Sequence, residues 1–247
     1  MRTGVKILAK IWLLFFLVTI GLIGFSFCAG LIFPAKWLAK FFPSLKPVPD
    51  QILHIGIYFL MMVQPWFNAQ IDIELPEVHE RGLLLVSNHR SHLDVFVLLA
   101  RIRGIRILAK STLFKIPFLG LMMRATRQIG VERGRFDAWV RAMDTVKARL
   151  KAGERVHVFP EMTRCAPGFR GVQPFTSGPF LAALQEDAMV LPMVFKNTDG
   201  VWPKGFVGLN FRQPVEVRTL SLLRARDFAS ADLLRNEVVR QIEAAGP

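Results

Sequence analysis

From residue 82 onward, short apolar runs alternate with segments whose apolar residues recur at helical spacing, so the chain predicts strands and helices in turn. Residues 83–87 read as a strand, 93–100 as a helix, 105–109 as a strand, 136–151 as a long helix and 155–159 as a strand. A helix over 179–185 follows, then strands over 190–195, 207–211 and 215–217, and last an amphipathic helix over 230–245. Strands alternating with helices specify an α/β domain, built on a mixed, partly parallel sheet flanked by helices.

Before residue 69 the pattern differs. Residues 11–33 form an uncharged apolar run of 23 residues between Lys10 and Lys36. As a helix it would measure about 35 Å, enough to cross a bilayer core. It is longer than the core of a secretory signal, no A-x-A site follows it, and Phe25-Ser26-Phe27 before Cys28 fits a lipoprotein signal poorly. A second apolar stretch, 52–63, is too short to span, is interrupted by His54 and is followed by Pro65, so it reads as interfacial or packed against the first. The prolines at 43, 47 and 49 break any helix between the two, and Asp50 suits the cap of the next one. The expected organisation is a membrane-embedded two-helix hairpin over residues 1–68 and an α/β domain over 69–247. Positive charge on both sides of the first run fits both ends emerging on one face.

Composition adds a partner class. The net charge of +13 and the 52% hydrophobic content point to a polyanion in an apolar setting. Nucleic acid is disfavoured, because Tyr occurs once and no finger or RNP-type motif is present. Anionic lipid and phosphate-bearing substrates fit better. Nine basic residues lie between Arg101 and Arg135 with only Glu132 to offset them, and most of these read as a solvated face. Two cysteines make neither a disulfide framework nor a metal cluster and suit a reducing compartment.

Residues 86–94 read Val-Ser-Asn-His-Arg-Ser-His-Leu-Asp and sit where a predicted strand gives way to a helix, a connection that often carries function. In a tight turn Asp94 would orient the His89 imidazole and leave its other nitrogen to take a proton from an alcohol. A hydroxyl needs that help. A thioester is already an activated acyl donor, so a base and a stabilised oxyanion suffice without an enzyme nucleophile. Two other readings share these residues: Ser91 and Asp94 make an S-x-x-D capping box, and His89, His92 and Asp94 are metal-ligating types. The absence of a G-x-S-x-G elbow argues against a serine hydrolase.

Asn88-His89 with Asp94 five residues after the histidine resembles the N-H-x-x-x-x-D box of the glycerolipid acyltransferases, the PlsC-like 1-acylglycerol-3-phosphate acyltransferases of bacteria. Further boxes follow in order. Lys110 through Gly120, with Leu113 and Pro117, is similar to the second; Phe159-Pro160-Glu161-Met162-Thr163-Arg164 to the third, usually F-P-E-G-T-R; and Val190-Leu191-Pro192-Met193 to the fourth.

The resemblance implies transfer of a fatty acyl group from acyl-CoA or acyl-acyl carrier protein to the free sn-2 hydroxyl of lysophosphatidic acid, forming phosphatidic acid. His89 would be the general base and Asp94 its orienting partner, with Lys110 and Arg164 gripping the acceptor phosphate. Glu161 would meet the acceptor's glycerol or hold Arg164 in place. Arg133 would bind phosphate or acyl donor, or be an ordinary surface arginine. No metal and no cofactor beyond the acyl donor are implied. The implied partners are membrane phospholipids, the lysophospholipid acceptor and the acyl donor, and the implied location is the bacterial inner membrane with the catalytic domain on its cytoplasmic face. A non-catalytic lipid-binding protein of the same fold is the rival, although it would not need the His89 and Asp94 pair. Two residues depart from the family pattern: Met162 stands at the usual glycine of the third box, and Phe175-Thr176-Ser177-Gly178 has threonine where F-K-x-G has lysine. Both point toward an acceptor with a different head group.

Overall fold

The structure is a computed structural model that describes residues 3–19, 25–62, 69–77, 81–116, 119–166, 168–205 and 214–247. Its centre is β2, Leu83–Ser87, which is buried along its whole length. Successive residues of a strand face opposite sides, so a strand whose first four residues are all apolar demands cover on both faces. Leu84 and Val86 enter one core with residues of α6 (Phe136–Lys151), α7 (Gly178–Gln185) and α9 (Ala231–Ala244). Leu83 and Leu85 enter the other with Leu93, Val97 and Leu98 of α4 (Leu93–Arg101).

Around β2 lie β5 (Arg155–Val158) and β6 (Met189–Lys196), both parallel to it. The sheet order is β1-β7-β6-β2-β5-β3-β4, with β1 at Ala69–Asp72, β3 at Arg106–Lys110, β4 at Ile129–Val131 and β7 at Val215–Thr219. A short β8, Leu223–Arg224, pairs antiparallel with β6, as does β7, and the remaining pairings are parallel. The sheet is therefore mixed, partly parallel and flanked by helices, as the sequence predicts. The strand expected over 207–211 lies outside the described residues. Elements the pattern did not announce are β1, β4, β8, α5 (Leu119–Ala125) and α8 (Thr198–Val201).

The described N-terminal residues are largely helical. Of the run expected as one helix over 11–33, the described residues lie in α1 (Thr3–Thr19) and α2 (Phe25–Leu38), and the join at 20–24 lies outside the described residues. Among the described residues no helix is long and apolar enough to cross a membrane. Across the expected proline-containing turn α2 packs on α3 (Val48–Met62), and α3 packs in turn on α4. Asp50 does not cap α3. It lies in the first turn and takes both arms of Arg106 at 2.7 and 2.8 Å. Arg106 is only 3% exposed and also donates to Glu154, at the head of β5, at 2.7 Å. Among the nine basic residues it is thus a buried tie between hairpin and sheet, not part of a solvated face.

Candidate active site

Three of the four boxes follow neighbouring parallel strands. The first leaves the end of β2, the third the end of β5, and Lys110 of the second is the last residue of β3, with β5 lying between β2 and β3. Ligands of open α/β sheets bind outside such carboxyl ends. The fourth box lies inside β6, and Pro192 there pairs in register with Val86.

Asn88 sets the first loop. Its amide donates to the Phe195 carbonyl at 2.8 Å and accepts from the Phe195 amide at 2.9 Å, replacing a strand residue along β6. The chain then turns, and Asp94 Oδ2 lies 2.9 Å from His89 Nδ1. The same oxygen accepts the backbone amides of Arg90 and Ser91 at 2.8 and 2.9 Å, while Oδ1 accepts the hydroxyl of Thr198 from α8. Ser91 Oγ accepts the amide of Leu93 and donates to the Trp202 carbonyl. The orienting and capping arrangements therefore coexist on one fully buried carboxylate. Because Asp94 is acceptor-only when ionised, the Nδ1 proton faces it and Nε2 carries the lone pair. His92 is exposed, with its ring edge-on to Trp202 at 5.3 Å. Among the described residues no group of His, Cys, Asp or Glu is placed to hold a metal ion.

The His89 ring lies on the face of Phe159, with centroids 3.9 Å apart and planes 21° from parallel. Behind Phe159, the buried His157 approaches edge-on at 4.4 Å, its Nε2 3.0 Å from Ser87 Oγ. Burial first, and then the charge of His89, pushes the His157 pKa down to about 3, so this ring is neutral.

Arg164 lies within electrostatic reach of Asp94 and His92 in the first loop. Lys110, Arg133 and Arg164 form no ion pair among the described residues, and Nη1 of Arg164 is buried without a hydrogen-bond partner. Desolvation lowers the Arg164 pKa. Desolvation first, and then the like charge of Arg164, lowers that of Arg133, so these two guanidinium groups lie within electrostatic reach of each other. Such an arrangement is stabilised by a bound anion. Glu161 does not pair with Arg164. Its carboxylate accepts from Gln173 Nε2 at 2.6 Å and from the Gln173 amide at 3.4 Å, and burial raises its pKa to about 7.

The two departures have local explanations. Met162 has a φ of +57°, the left-handed conformation that a glycine adopts without cost, and its side chain packs against the core on the α6 and α7 side. Thr176 turns back on the third box, its hydroxyl donating to the Pro160 carbonyl at 3.2 Å. Gly120 of the second box is explained by close approach, since an added Cβ would collide with the Phe114 carbonyl. Sequence reasoning missed Thr198, Gln173, Phe159 as a partner of the base, and Lys204, which donates to the Arg164 carbonyl at 2.9 Å. Phe159 was legible as part of its box. The others are single polar residues whose roles come from contacts made far along the chain.

Comparison with known proteins bears on family and fold. The model of the family described as Acyltransferase matches residues 70–196. The chloroplastic 1-acyl-sn-glycerol-3-phosphate acyltransferase LPAT1 of Arabidopsis thaliana is 27% identical over 181 residues, 73% of this chain and 49% of that protein. The 1-acyl-sn-glycerol-3-phosphate acyltransferase of Saccharomyces cerevisiae is 28% identical over 197 residues, 72% of this chain and 63% of that protein. The chain thus spans about half to just under two thirds of these relatives' length. In fold it is similar to the crystal structure of the 1-acyl-sn-glycerophosphate (LPA) acyltransferase PlsC from Thermotoga maritima, with a TM-score of 0.76 at 21% identity over 99% of this chain and 96% of that one.

Proposed function

Since the chain belongs to the Acyltransferase family, we propose that it transfers a fatty acyl group from a thioester, acyl-CoA or acyl-acyl carrier protein, to the free sn-2 hydroxyl of lysophosphatidic acid, forming phosphatidic acid. The observation that carries this reading is the His89–Asp94 pair set near Arg164, a cation with a buried and unpartnered nitrogen. An acceptor whose phosphate lies on Arg164, Lys110 and Arg133 presents its hydroxyl to Nε2 of His89. The hydroxyl oxygen attacks the thioester carbonyl while Nε2 takes its proton, and Asp94 stabilises the imidazolium. As the tetrahedral intermediate collapses, the C–S bond breaks and the departing thiolate takes the proton from His89. The products are an ester and a free thiol, and the histidine returns to its neutral form.

The same reading places the protein at a membrane. Trp37, Phe41, Phe42, Ile55, Phe59 and Met62 are exposed apolar residues on or beside α2 and α3, and α3 packs on α4, whose first turn carries Asp94. Large apolar side chains left exposed in such number on one pair of helices suit a lipid or protein contact. Each methylene kept out of water contributes about 0.8 kcal/mol, so a long acyl tail favours a base held close to the bilayer. The bacterial inner membrane, with the α/β domain on its cytoplasmic side, fits this arrangement.

A second reading, a lysolipid acceptor with another head group, starts from Met162 and Thr176 standing where the family pattern has glycine and lysine. The test is acyl transfer by the purified full chain in lipid or detergent, with labelled thioester and a panel of lysolipids. Loss of a general base costs about 100- to 10,000-fold, so wild type should acylate lysophosphatidic acid and His89→Ala should be nearly inactive. Activity on another lysolipid alone transfers the proposal to that acceptor, and an active His89→Ala removes the base.

A further inference from the structure

Asp94 holds the base at one atom only. An imidazole fixed by a single hydrogen bond at Nδ1 remains free to swing about that bond, which would move Nε2 away from any hydroxyl placed before it. The stack on Phe159, 3.9 Å between centroids and 21° from parallel, removes this freedom. Phe159 is itself held. It is 7% exposed, with His157 edge-on at 4.4 Å and Phe195 at 6.5 Å. Residues of the first box and its strand secure both of those neighbours: Ser87 Oγ lies 3.0 Å from His157 Nε2, and Asn88 clamps the Phe195 backbone at 2.8 and 2.9 Å. The loop that bears the base therefore also fixes the rings against which the base rests.

From this column we infer that Phe159 is a positioning residue for the reaction: its face sets the plane of the His89 ring and stabilises the imidazolium that forms as the acceptor loses its proton. The inference rests on His89 acting as the base. An aromatic face carries negative charge density, and a cation stacked over it in a desolvated site gains up to about 2 kcal/mol. The gain arises only as charge develops on His89, so it lowers the barrier and leaves acceptor binding alone. The neutral His157 behind Phe159 adds no second positive charge to the stack.

The experiment compares Phe159→Leu, which keeps apolar bulk without an aromatic face, with Phe159→Tyr, which keeps the face, and runs His89→Ala beside them. Phe159→Leu should lower kcat about 2- to 30-fold with the acceptor KM unchanged, the range that 0.5 to 2 kcal/mol of cation–π stabilisation converts to. Phe159→Tyr should stay near wild type. Independently of activity, the Cε1–H resonance of His89 should lie upfield in the wild-type NMR spectrum, from the ring current of Phe159, and move downfield in Phe159→Leu. A Leu variant with wild-type kcat, a loss confined to KM, a Tyr variant as slow as Leu, or an unmoved resonance each overturns the inference. If His89→Ala stays active, the proposed base fails as well. If His89→Ala is inactive while Phe159→Leu is fully active, only the role of Phe159 fails.

Discussion

Oδ2 of Asp94 lies 2.9 Å from Nδ1 of His89, and this single oxygen also receives the amides of Arg90 and Ser91. One atom thus orients the proposed base and ties the loop into the first turn of α4. Removing the carboxylate should therefore affect rate and stability together. Asp94→Ala leaves two buried amides without an acceptor, at about 1 to 3 kcal/mol each, and frees the imidazole to adopt the wrong tautomer. Asp94→Asn keeps an acceptor oxygen and should lose less stability, while the rate still falls, by up to about 10,000-fold where tautomer control is lost. Steady-state kinetics with denaturant titration of both variants checks this. An Asp94→Ala protein of wild-type stability would show that the loop does not depend on the carboxylate.

Arg106 joins the hairpin to the sheet through Asp50 on one side and Glu154 on the other. Removing one member of a buried charge network leaves its partners unpaired in a desolvated site, at a cost of about 3 to 5 kcal/mol. Arg106→Ala should lose that much stability. It should also expose the turn between α2 and α3 to protease faster than wild type, because α3 loses its polar link to β3. Limited proteolysis with mapping of the cut sites reads the second effect directly, and an unchanged cleavage pattern would mean that apolar packing alone holds the hairpin.

Met162 provides a test of sign. At ordinary sites alanine is more stable than glycine by about 0.5 to 1 kcal/mol. At a φ of +57° the order should reverse, because a side chain there costs roughly 1 to 2 kcal/mol that glycine avoids. Both substitutions remove the same packing of the methionine against the core, so their difference isolates the backbone. Met162→Gly should be more stable than Met162→Ala by about 1 kcal/mol in thermal or denaturant unfolding, and the ordinary order would place the residue in a relaxed conformation.

What the sequence made legible follows from how local each signal is. Residues 83–87 and 136–151 were read at their observed bounds because a short continuous apolar run and a long amphipathic helix are both local signals. β1 reads Ala-Gln-Ile-Asp and β4 is three residues long, so neither shows a pattern, and both exist through pairing at or near the sheet edges. His89 and Asp94 were legible because five residues separate them. Thr198, 104 positions from Asp94, and Gln173, 12 from Glu161, come into contact only through the fold. Arg106 looked like its solvated neighbours in composition, and only the approach of α3 and β5 makes it a buried tie.

Glu161 makes stability depend on pH. Burial raises its carboxyl pKa to about 7, with Gln173 hydrogen bonds acting against the shift, whereas an unfolded glutamate titrates near 4.3. The folded chain therefore binds more protons than the unfolded one between roughly pH 4.3 and 7, and stability falls as pH rises through that window. Below it both states are protonated and the residue is neutral in effect. Above it the folded state bears a buried charge, at a cost on the order of 3 kcal/mol. Glu161→Gln keeps an oxygen for Gln173 and has no proton to lose. It should match wild type near pH 4 and exceed it near pH 8, by an amount approaching that cost. Denaturant unfolding of both proteins at the two pH values measures the difference, and parallel pH profiles would mean that Glu161 takes up protons alike in the folded and unfolded chain.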